Sequence, residues 1–207
     1  MSSDTNVLTT GTASRGPLRT AWRSAHEPAV GVPRRTLLLA YAVPFLVLPS
    51  SIWRILTVAL HVPLMDEAPA GADVNGNLPE WIPIELYVVL LSIGSELLAF
   101  TAIGLVARWG EVFPRWLPGL RGRRVPISLA VVPAALGSVV LTLLWGWAAL
   151  TAVFTKTIQW GDVPSYSPFA QYDYQFAVAS IAYLPLVLWG PFLAALTVGY
   201  YRRRTGR

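Results

Sequence analysis

The chain has 207 residues, of which 54% are hydrophobic, 13% charged and 12% aromatic, and its mean hydropathy is +0.51. A soluble domain carries about 25% charged residues, so this chain has too few charges to cover a water-exposed globular surface and is too hydrophobic for an intrinsically disordered protein. The absence of cysteine excludes disulfides, thiolate metal sites and cysteine nucleophiles.

Residues 1–35 are rich in Ser, Thr, Gly, Pro and Arg and show no hydrophobic period. Such a segment cannot bury enough apolar surface to fold, and it predicts a disordered basic tail on the cytoplasmic side. A cleavable signal peptide is excluded. The first apolar run is too long for the hydrophobic region of such a peptide, and the small residues at 68–70 lie too far beyond it.

Four apolar stretches are long enough to cross a bilayer, which requires roughly 20 residues of helix. Because lipid offers no partners to backbone polar groups, each stretch is expected to be a helix. The predicted spans cover residues 36–60, 82–107, 125–149 and 177–201. We therefore expect an all-α integral membrane protein. Residues 36–204 form a four-helix bundle, and a cytoplasmic tail end follows at 205–207.

Basic residues are concentrated on one side of the predicted spans. Fourteen of the 16 Lys and Arg residues lie in the N-terminal tail, in the loop between spans two and three, or at the C-terminus, whereas the other side carries Lys156 and six acidic residues. Lys and Arg accumulate on the cytoplasmic side, so both termini are predicted to be cytoplasmic in a plasma-membrane protein. The net charge of +5 does not indicate nucleic acid binding, since arginines at span ends fix topology and contact anionic lipid.

The stretch 96–147, together with LPSSIWR at 48–54, resembles a group of small integral membrane proteins of high-GC actinobacteria. The most specific part is RWGEVFPRW at 108–116. The predominance of Arg over Lys suits such a genome. The resemblance implies a multi-pass membrane architecture, and it implies no activity, catalytic residue or cofactor.

Arg54 and Glu85 are two ionisable residues inside the predicted spans, at similar depth. An intramembrane charge costs at least a few kcal/mol and usually has a partner. Arg54 lies six residues, about 9 Å, before the end of span one, and Glu85 lies three residues after the start of span two. We predict a structural ion pair between them. The alternative is that Arg54 extends to the headgroups and Glu85 is hydrated.

Glu96 lies deeper, fourteen residues or about 21 Å after Ile82, so it does not reach either surface easily. On a helical wheel it falls within about 40° of Glu85 and Ser92. These residues, with Ser95 beside them, form a polar stripe that is expected to face the bundle interior. Because an apolar surrounding disfavours a charged carboxyl, we expect Glu96 to keep its proton and to donate a hydrogen bond or a proton.

Two roles of Glu96 remain open. Pro44, Pro49 and Pro191 lie near its depth on other spans, and a proline frees a backbone carbonyl to which a buried acid can donate. In that case Glu96 is a packing residue and the protein is a structural or accessory membrane component.

In the second role, Glu96 is a catalytic general acid or proton site. The protein is then an intramembrane enzyme with a lipid or isoprenoid ligand, similar to small membrane terpene cyclases that use buried acids, or an oligomeric proton-coupled carrier. The lack of a combined nucleophile, base and orienting group favours the structural role.

No metal or cofactor is expected. The two histidines, His26 and His61, are too few and too far apart for a metal site, and neither a phosphate-binding glycine motif nor a serine nucleophile elbow is present.

Span three carries small residues at every fourth position, a pattern that allows another helix to approach closely: Ala130, Ala134, Ser138, Thr142 and Gly146. Packing within the monomer is the favoured interpretation. A homo-oligomer through Ala130, Ala134 and Ser138 is the alternative.

Tryptophans near the predicted interfaces are typical of an aromatic belt: Trp53, Trp81, Trp109, Trp116, Trp145 and Trp160. The loop at 165–176 is denser in aromatic residues than a belt requires and predicts a lid or an interfacial segment. A ligand-binding role for this loop is the less favoured interpretation, because aromatic loops at headgroup level are common.

Overall fold

The computed structural model describes residues 27–69, 78–79, 81–113, 122–154, 157–158 and 161–206. The first 26 residues of the predicted tail lie outside these described residues. So do Arg207 and the end of the RWGEVFPRW run from Pro114 onward, and also Lys156, Trp116 and Trp160.

Four helical spans, each long and apolar enough to cross a membrane, confirm the all-α four-helix bundle expected from hydropathy. The first, α1, is Arg34–Arg54 and continues into a π-helical turn, Ile55–Ala59. The second, α2, is Ile84–Gly104, and the third, α3, is Ile127–Phe154. Their ends fall within a few residues of the predicted bounds because hydropathy is a local property of the chain.

The fourth span is interrupted, unlike the continuous helix predicted for it. It consists of α4, Tyr174–Tyr183, a 3₁₀ segment, Leu184–Leu188, and α5, Trp189–Thr205. Pro185 at the start of the 3₁₀ segment has no N–H to give to an α-helical ladder, and Pro191 follows in the first turn of α5. The two prolines explain why the span changes its helix type at mid-length.

The first helix lies at the centre of the packing. It contacts α2 on one side and α4 and α5 on the other, while α3 packs on α5 and on the 3₁₀ segment. Within the described part of the chain, α2 and α3 share no extensive contact, so they are the outer helices of the bundle. The buried core comes from α1, α2, α5 and the 3₁₀ segment and includes Val43, Val47, Ala99, Ala102, Leu186, Leu196 and Tyr200.

The start of α1, the loop after α2 and the end of α5 meet at one end of the bundle, which we call the Arg-rich end. Tyr200 Oη donates a hydrogen bond to the Gly110 carbonyl at 3.0 Å. The Arg203 guanidinium pairs with Glu111 at 2.9 Å and donates to the Leu105 carbonyl at 3.0 Å. These contacts hold the first part of the RWGEVFPRW run against α5.

The segment just before α1 is more ordered than the predicted disordered tail. The Ala29 N–H donates to the Val106 carbonyl at 2.8 Å and the Arg108 N–H donates to the Glu27 carbonyl at 3.0 Å. Ala29 is buried. The backbone groups at the end of α2 have no partner in their own helix, so this short segment supplies one and the packed region begins before residue 36.

The loops between spans one and two and between spans three and four meet at the opposite end, which we call the acidic end. A short hairpin of Thr157–Ile158 (β1) and Gly161–Asp162 (β2) lies in the second of these loops. Gln175 Nε2, in the first turn of α4, donates to Asp66 Oδ1 at 3.2 Å and so joins the first of these loops to the start of the fourth span. Both chain ends of the bundle therefore lie opposite this end, as expected for four antiparallel spans.

Three tryptophans assigned to the aromatic belt, Trp53, Trp109 and Trp145, pack inward instead. Trp53 is 8% exposed, and its ring lies edge-on to Tyr183 with 5.4 Å between ring centroids. Trp145 packs on the same tyrosine at 6.2 Å. From the aromatic loop, Phe169 contacts Tyr183 at 6.0 Å, so this part of the loop covers the ends of α1 and α4. Trp81 is 80% exposed, as a belt residue is expected to be.

Candidate functional site: a polar cluster inside the bundle

Five polar side chains from three spans meet between the central helix and its neighbours. They are Ser51 and Arg54 of α1, Ser92 and Glu96 of α2, and Tyr183 of α4. We call them the intramembrane polar cluster. In an apolar surrounding each polar group needs a partner, so their convergence makes this cluster the candidate functional site.

Arg54 is the centre of the cluster. Its Nε donates to Ser92 Oγ at 3.4 Å and its Nη2 donates to Ser51 Oγ, also at 3.4 Å. The Tyr183 hydroxyl lies beside the same guanidinium. One cation thus contacts α1, α2 and α4, and ties together three helical segments that have no covalent connection at this depth.

The predicted ion pair between Arg54 and Glu85 does not form. Among the described residues the salt bridges join Arg108 to Glu27 and Arg203 to Glu111. Glu85 lies in the first turn of α2, where a negative charge is favourable because it faces the positive end of the helix dipole.

The direction of helical side chains explains why Arg54 and Glu85 do not pair. A side chain on a helix tilts toward the helix N-terminus, and α1 and α2 run in opposite directions. Arg54 therefore points away from the acidic end, and Glu85 points toward it, so the two diverge although their Cα atoms lie at similar depth. Glu96 lies closer to the Arg-rich end than Arg54 does, and its side chain tilts toward the acidic end. The two side chains therefore converge.

Glu96 is half-buried and lies close to both Ser51 and Arg54, without forming a salt bridge. Its Oε1 atom is shielded from solvent and has no hydrogen-bond partner within the described residues. The expected hydrogen bond from Glu96 to a carbonyl freed by a proline is not present there either. The structure thus leaves one carboxyl oxygen of the cluster unsatisfied, and such an atom normally costs free energy.

The polar stripe predicted on span two is divided between two environments. Ser92 is 1% exposed and accepts the hydrogen bond from Arg54. Ser95 Oγ instead donates to the Leu91 carbonyl of its own helix at 2.7 Å, a local bond that contributes nothing across the helices. Ser92 therefore belongs to the candidate site and Ser95 does not.

Two members of the cluster were not predicted. Ser51 precedes Arg54 by three residues, a spacing that places both on one helical face, and this signal could have identified it. Tyr183 comes from a distant span, and no pattern in a single sequence places it beside Arg54. The cluster also lies where α1 changes to its π-helical turn, a deviation that is frequent at functional sites.

A groove of about 390 Å³ runs between α1 and α2 beside the cluster, and it is open on one side. It extends along α1 from Pro44 to Ile55, about 16 Å at the rise of an α-helix. Its polar members are Ser51, Ser92 and Glu96, and the remaining side chains that line it are apolar. We call it the α1–α2 groove.

The cluster is poorly equipped for nucleophilic or metal chemistry. Ser51 and Ser92 are 3% and 1% exposed and accept hydrogen bonds from Arg54, so neither hydroxyl is accessible to a substrate carbonyl. No group of three His, Cys, Asp or Glu side chains suited to a metal ion lies in the described part of the chain. Within the cluster, Glu96 Oε1 lacks a hydrogen-bond partner among the described residues, and it is itself shielded from solvent.

The row of small residues on α3, except Gly146, packs inside the chain. Ser138 is buried, and Gly190 of α5 lies so close that a Cβ there would be 2.8 Å from the Ser138 carbonyl oxygen and would collide with the Thr142 hydroxyl. Ala130 and Ala134 pack on the core. This contact accounts for the pattern that also suggested a homo-oligomer through Ala130, Ala134 and Ser138.

Comparisons of this chain with protein families, with curated proteins and with solved structures find no match.

Proposed function

We propose that this multi-pass protein is an accessory component of the plasma membrane that acts without catalysis, and that its intramembrane polar cluster holds the spans together. The observation that carries the proposal is the set of partners of Arg54. They come from α1, α2 and α4 of the same chain, so the cation serves the bundle and is not held ready for a substrate. We also propose that the chain belongs to the family of actinobacterial membrane proteins that it resembles.

The proposed orientation places both termini in the cytoplasm. The arginines at the described Arg-rich end support it, since basic residues accumulate on the cytoplasmic side. A reporter that is active only in the cytoplasm should be active after Arg207 and silent when inserted near Gly76, between spans one and two. The reverse pattern would overturn the proposed topology.

The accessory role is tested by replacing Glu96 in the full chain. Gln has nearly the shape of Glu and keeps a hydrogen-bond donor and acceptor, but it does not exchange a proton near neutral pH. A deletion strain complemented with Glu96→Gln should behave like one complemented with the wild type. The control is the amount of folded protein in the membrane, which must be equal in both strains.

A second candidate function is an intramembrane enzyme that acts on a lipid or isoprenoid, with Glu96 as general acid. The specific observation in its favour is the unpartnered Oε1 atom beside an apolar groove. This candidate predicts that Glu96→Gln is present at normal levels and fails to complement. The same experiment therefore separates the two functions.

A further inference from the structure

We propose that the α1–α2 groove binds an uncharged long-chain alcohol, whose hydroxyl group forms a hydrogen bond with the Glu96 carboxyl. The proposal goes beyond the accessory role, because it assigns a ligand whether or not the protein is catalytic. It rests on the shape of the groove, on the unpartnered oxygen in its wall and on the charges around that oxygen.

The groove is large enough to hold part of an alkyl chain, and its surface is mainly apolar. Its volume of about 390 Å³ falls within the range of about 300–1,000 Å³ that is common for small-molecule sites. Its rim carries exposed apolar side chains, among them Ile93 and Leu97 at 50% and 65% exposure. A chain that lies between α1 and α2 would bury these groups.

The Glu96 carboxyl in the otherwise mainly apolar wall of the groove favours a hydrogen-bonding ligand. Glu96 Oε1 has no partner among the described residues, so a pure hydrocarbon in the groove would leave this atom unsatisfied. The terminal torsion of a Glu side chain is soft, and a rotation of the carboxyl group presents an oxygen to the groove. A hydroxyl both donates and accepts, and it therefore pairs with Glu96 in either protonation state.

The charges of the cluster disfavour an anionic headgroup. Arg54 does not line the groove, and its Nε and Nη2 atoms donate to Ser92 and Ser51. The ionisable group that lines the groove is the Glu96 carboxyl, which offers an anion no positive charge and repels it when ionised. A phosphate at this depth would also pay the desolvation cost of a charge, whereas an uncharged alcohol pays only for a hydroxyl.

The test compares three ligands that share one chain: hexadecanol, hexadecane and hexadecyl phosphate. The full-length protein in nanodiscs is titrated with radiolabelled hexadecanol, and the other two compete for the site. Saturable binding of hexadecanol is expected, with hexadecane and hexadecyl phosphate weaker by about tenfold, the effect of one hydrogen bond to a carboxyl group. Equal binding of hexadecane, or tighter binding of hexadecyl phosphate, would overturn the proposal.

Variants locate the site. Glu96→Leu should weaken hexadecanol by about tenfold and leave hexadecane unchanged, because only the alcohol uses the carboxyl. Leu97→Trp should fill the groove and weaken both ligands, whereas Leu98→Trp, which is on the same helix and outside the groove, should weaken neither.

Binding that Leu97→Trp does not change would place the alcohol elsewhere and refute the assignment. If Glu96→Leu does not fold, the ligand series on the wild type and the pair of tryptophan variants still decide the question. The ligand competition and the Glu96→Gln complementation are independent measurements. If hexadecanol is not preferred, the alcohol proposal fails, and the accessory role is still decided by complementation.

Discussion

The two main helix contacts of this protein, α1 with α2 and α3 with α5, are held together in different ways. Between α1 and α2 a charged side chain crosses the contact, from Arg54 to Ser92. Between α3 and α5 the backbones approach closely at Gly190. Lipid provides no hydrophobic force between helices, so association depends on polar side chains or on close packing of small residues. In this protein the α1–α2 contact depends on a polar side chain, and the α3–α5 contact depends on close packing.

The hydroxyl groups of the two contacts show the difference. On α3, Ser138 Oγ donates to the Ala135 carbonyl at 2.8 Å and Thr142 Oγ1 donates to the Ser138 carbonyl at 2.7 Å. Both bonds stay within the helix, so these residues act at the α3–α5 contact by being small. On α2, Ser92 acts through its oxygen atom, which accepts from another helix. We therefore expect larger side chains to destabilise the α3–α5 contact most. The loss of a polar group should destabilise the α1–α2 contact most.

The largest effect is expected for Gly190→Ala. The added Cβ would lie 2.8 Å from the Ser138 carbonyl oxygen, and the obstacle is backbone that cannot move aside. Overpacking commonly costs about 1–3 kcal/mol, and we expect more than about 4 kcal/mol here because the backbone must shift. Thermal unfolding in detergent measures the loss. Gly146→Ala is the matched control, because a Cβ at Gly146 meets nothing within 4 Å. An equal loss in both variants would show that helix flexibility, and not the close contact, is responsible.

The next largest effect is expected for Arg54→Met. The substitution keeps much of the apolar stem and removes the donors to Ser51 and Ser92 and the positive charge beside Tyr183. We expect a loss of about 2–4 kcal/mol, since removing one member of a buried charged network leaves its partners unsatisfied. Unfolding in detergent is again the measurement.

Arg108→Met is the matched control for that variant. Arg108 forms an exposed salt bridge with Glu27 at 3.6 Å, and exposed pairs contribute at most about 1 kcal/mol. A smaller loss for Arg54→Met than for Arg108→Met would mean that the α1–α2 contact does not depend on its polar network.

Much of the architecture could be predicted from the sequence, but the contacts of the site could not. Spans follow from hydropathy, which is a local property, and the close packing on α3 follows from a spacing of four residues. The partner of Arg54 depends on the direction in which two antiparallel helices project their side chains, and counting residues from the span ends gave the wrong partner, Glu85. The place of Tyr183 depends on the packing of a distant span. The change of helix type in span four could have been predicted from Pro185 and Pro191. Hydropathy alone missed it, because it measures apolar character and not the ability to continue a helix.

A smaller effect is expected for Ser92→Ala. Loss of a hydrogen bond to a charged donor in a buried position costs about 1–3 kcal/mol, and the long distance of 3.4 Å places this bond at the lower limit. Ser95→Ala, on the same helix, should change the stability by less than about 0.5 kcal/mol, because Ser95 bonds only to its own helix. If both variants lose the same amount, the hydrogen bond from Arg54 to Ser92 does not hold α2 in place.

The smallest effect is expected for Glu96→Gln, and it tests whether the α1–α2 contact depends on the charge of this residue or on its shape. Glu96 and Arg54 are close but form no salt bridge, and the hydrogen bonds of Arg54 go to hydroxyl groups. A neutral residue of the same shape should therefore alter the free energy of unfolding by less than about 1 kcal/mol. The measurement is thermal unfolding of Glu96→Gln and Arg54→Met side by side in the same detergent. A loss in Glu96→Gln as large as that in Arg54→Met would mean that Glu96 is the counter-ion of Arg54. The α1–α2 contact would then rest on an ion pair, and the serines would be secondary to it.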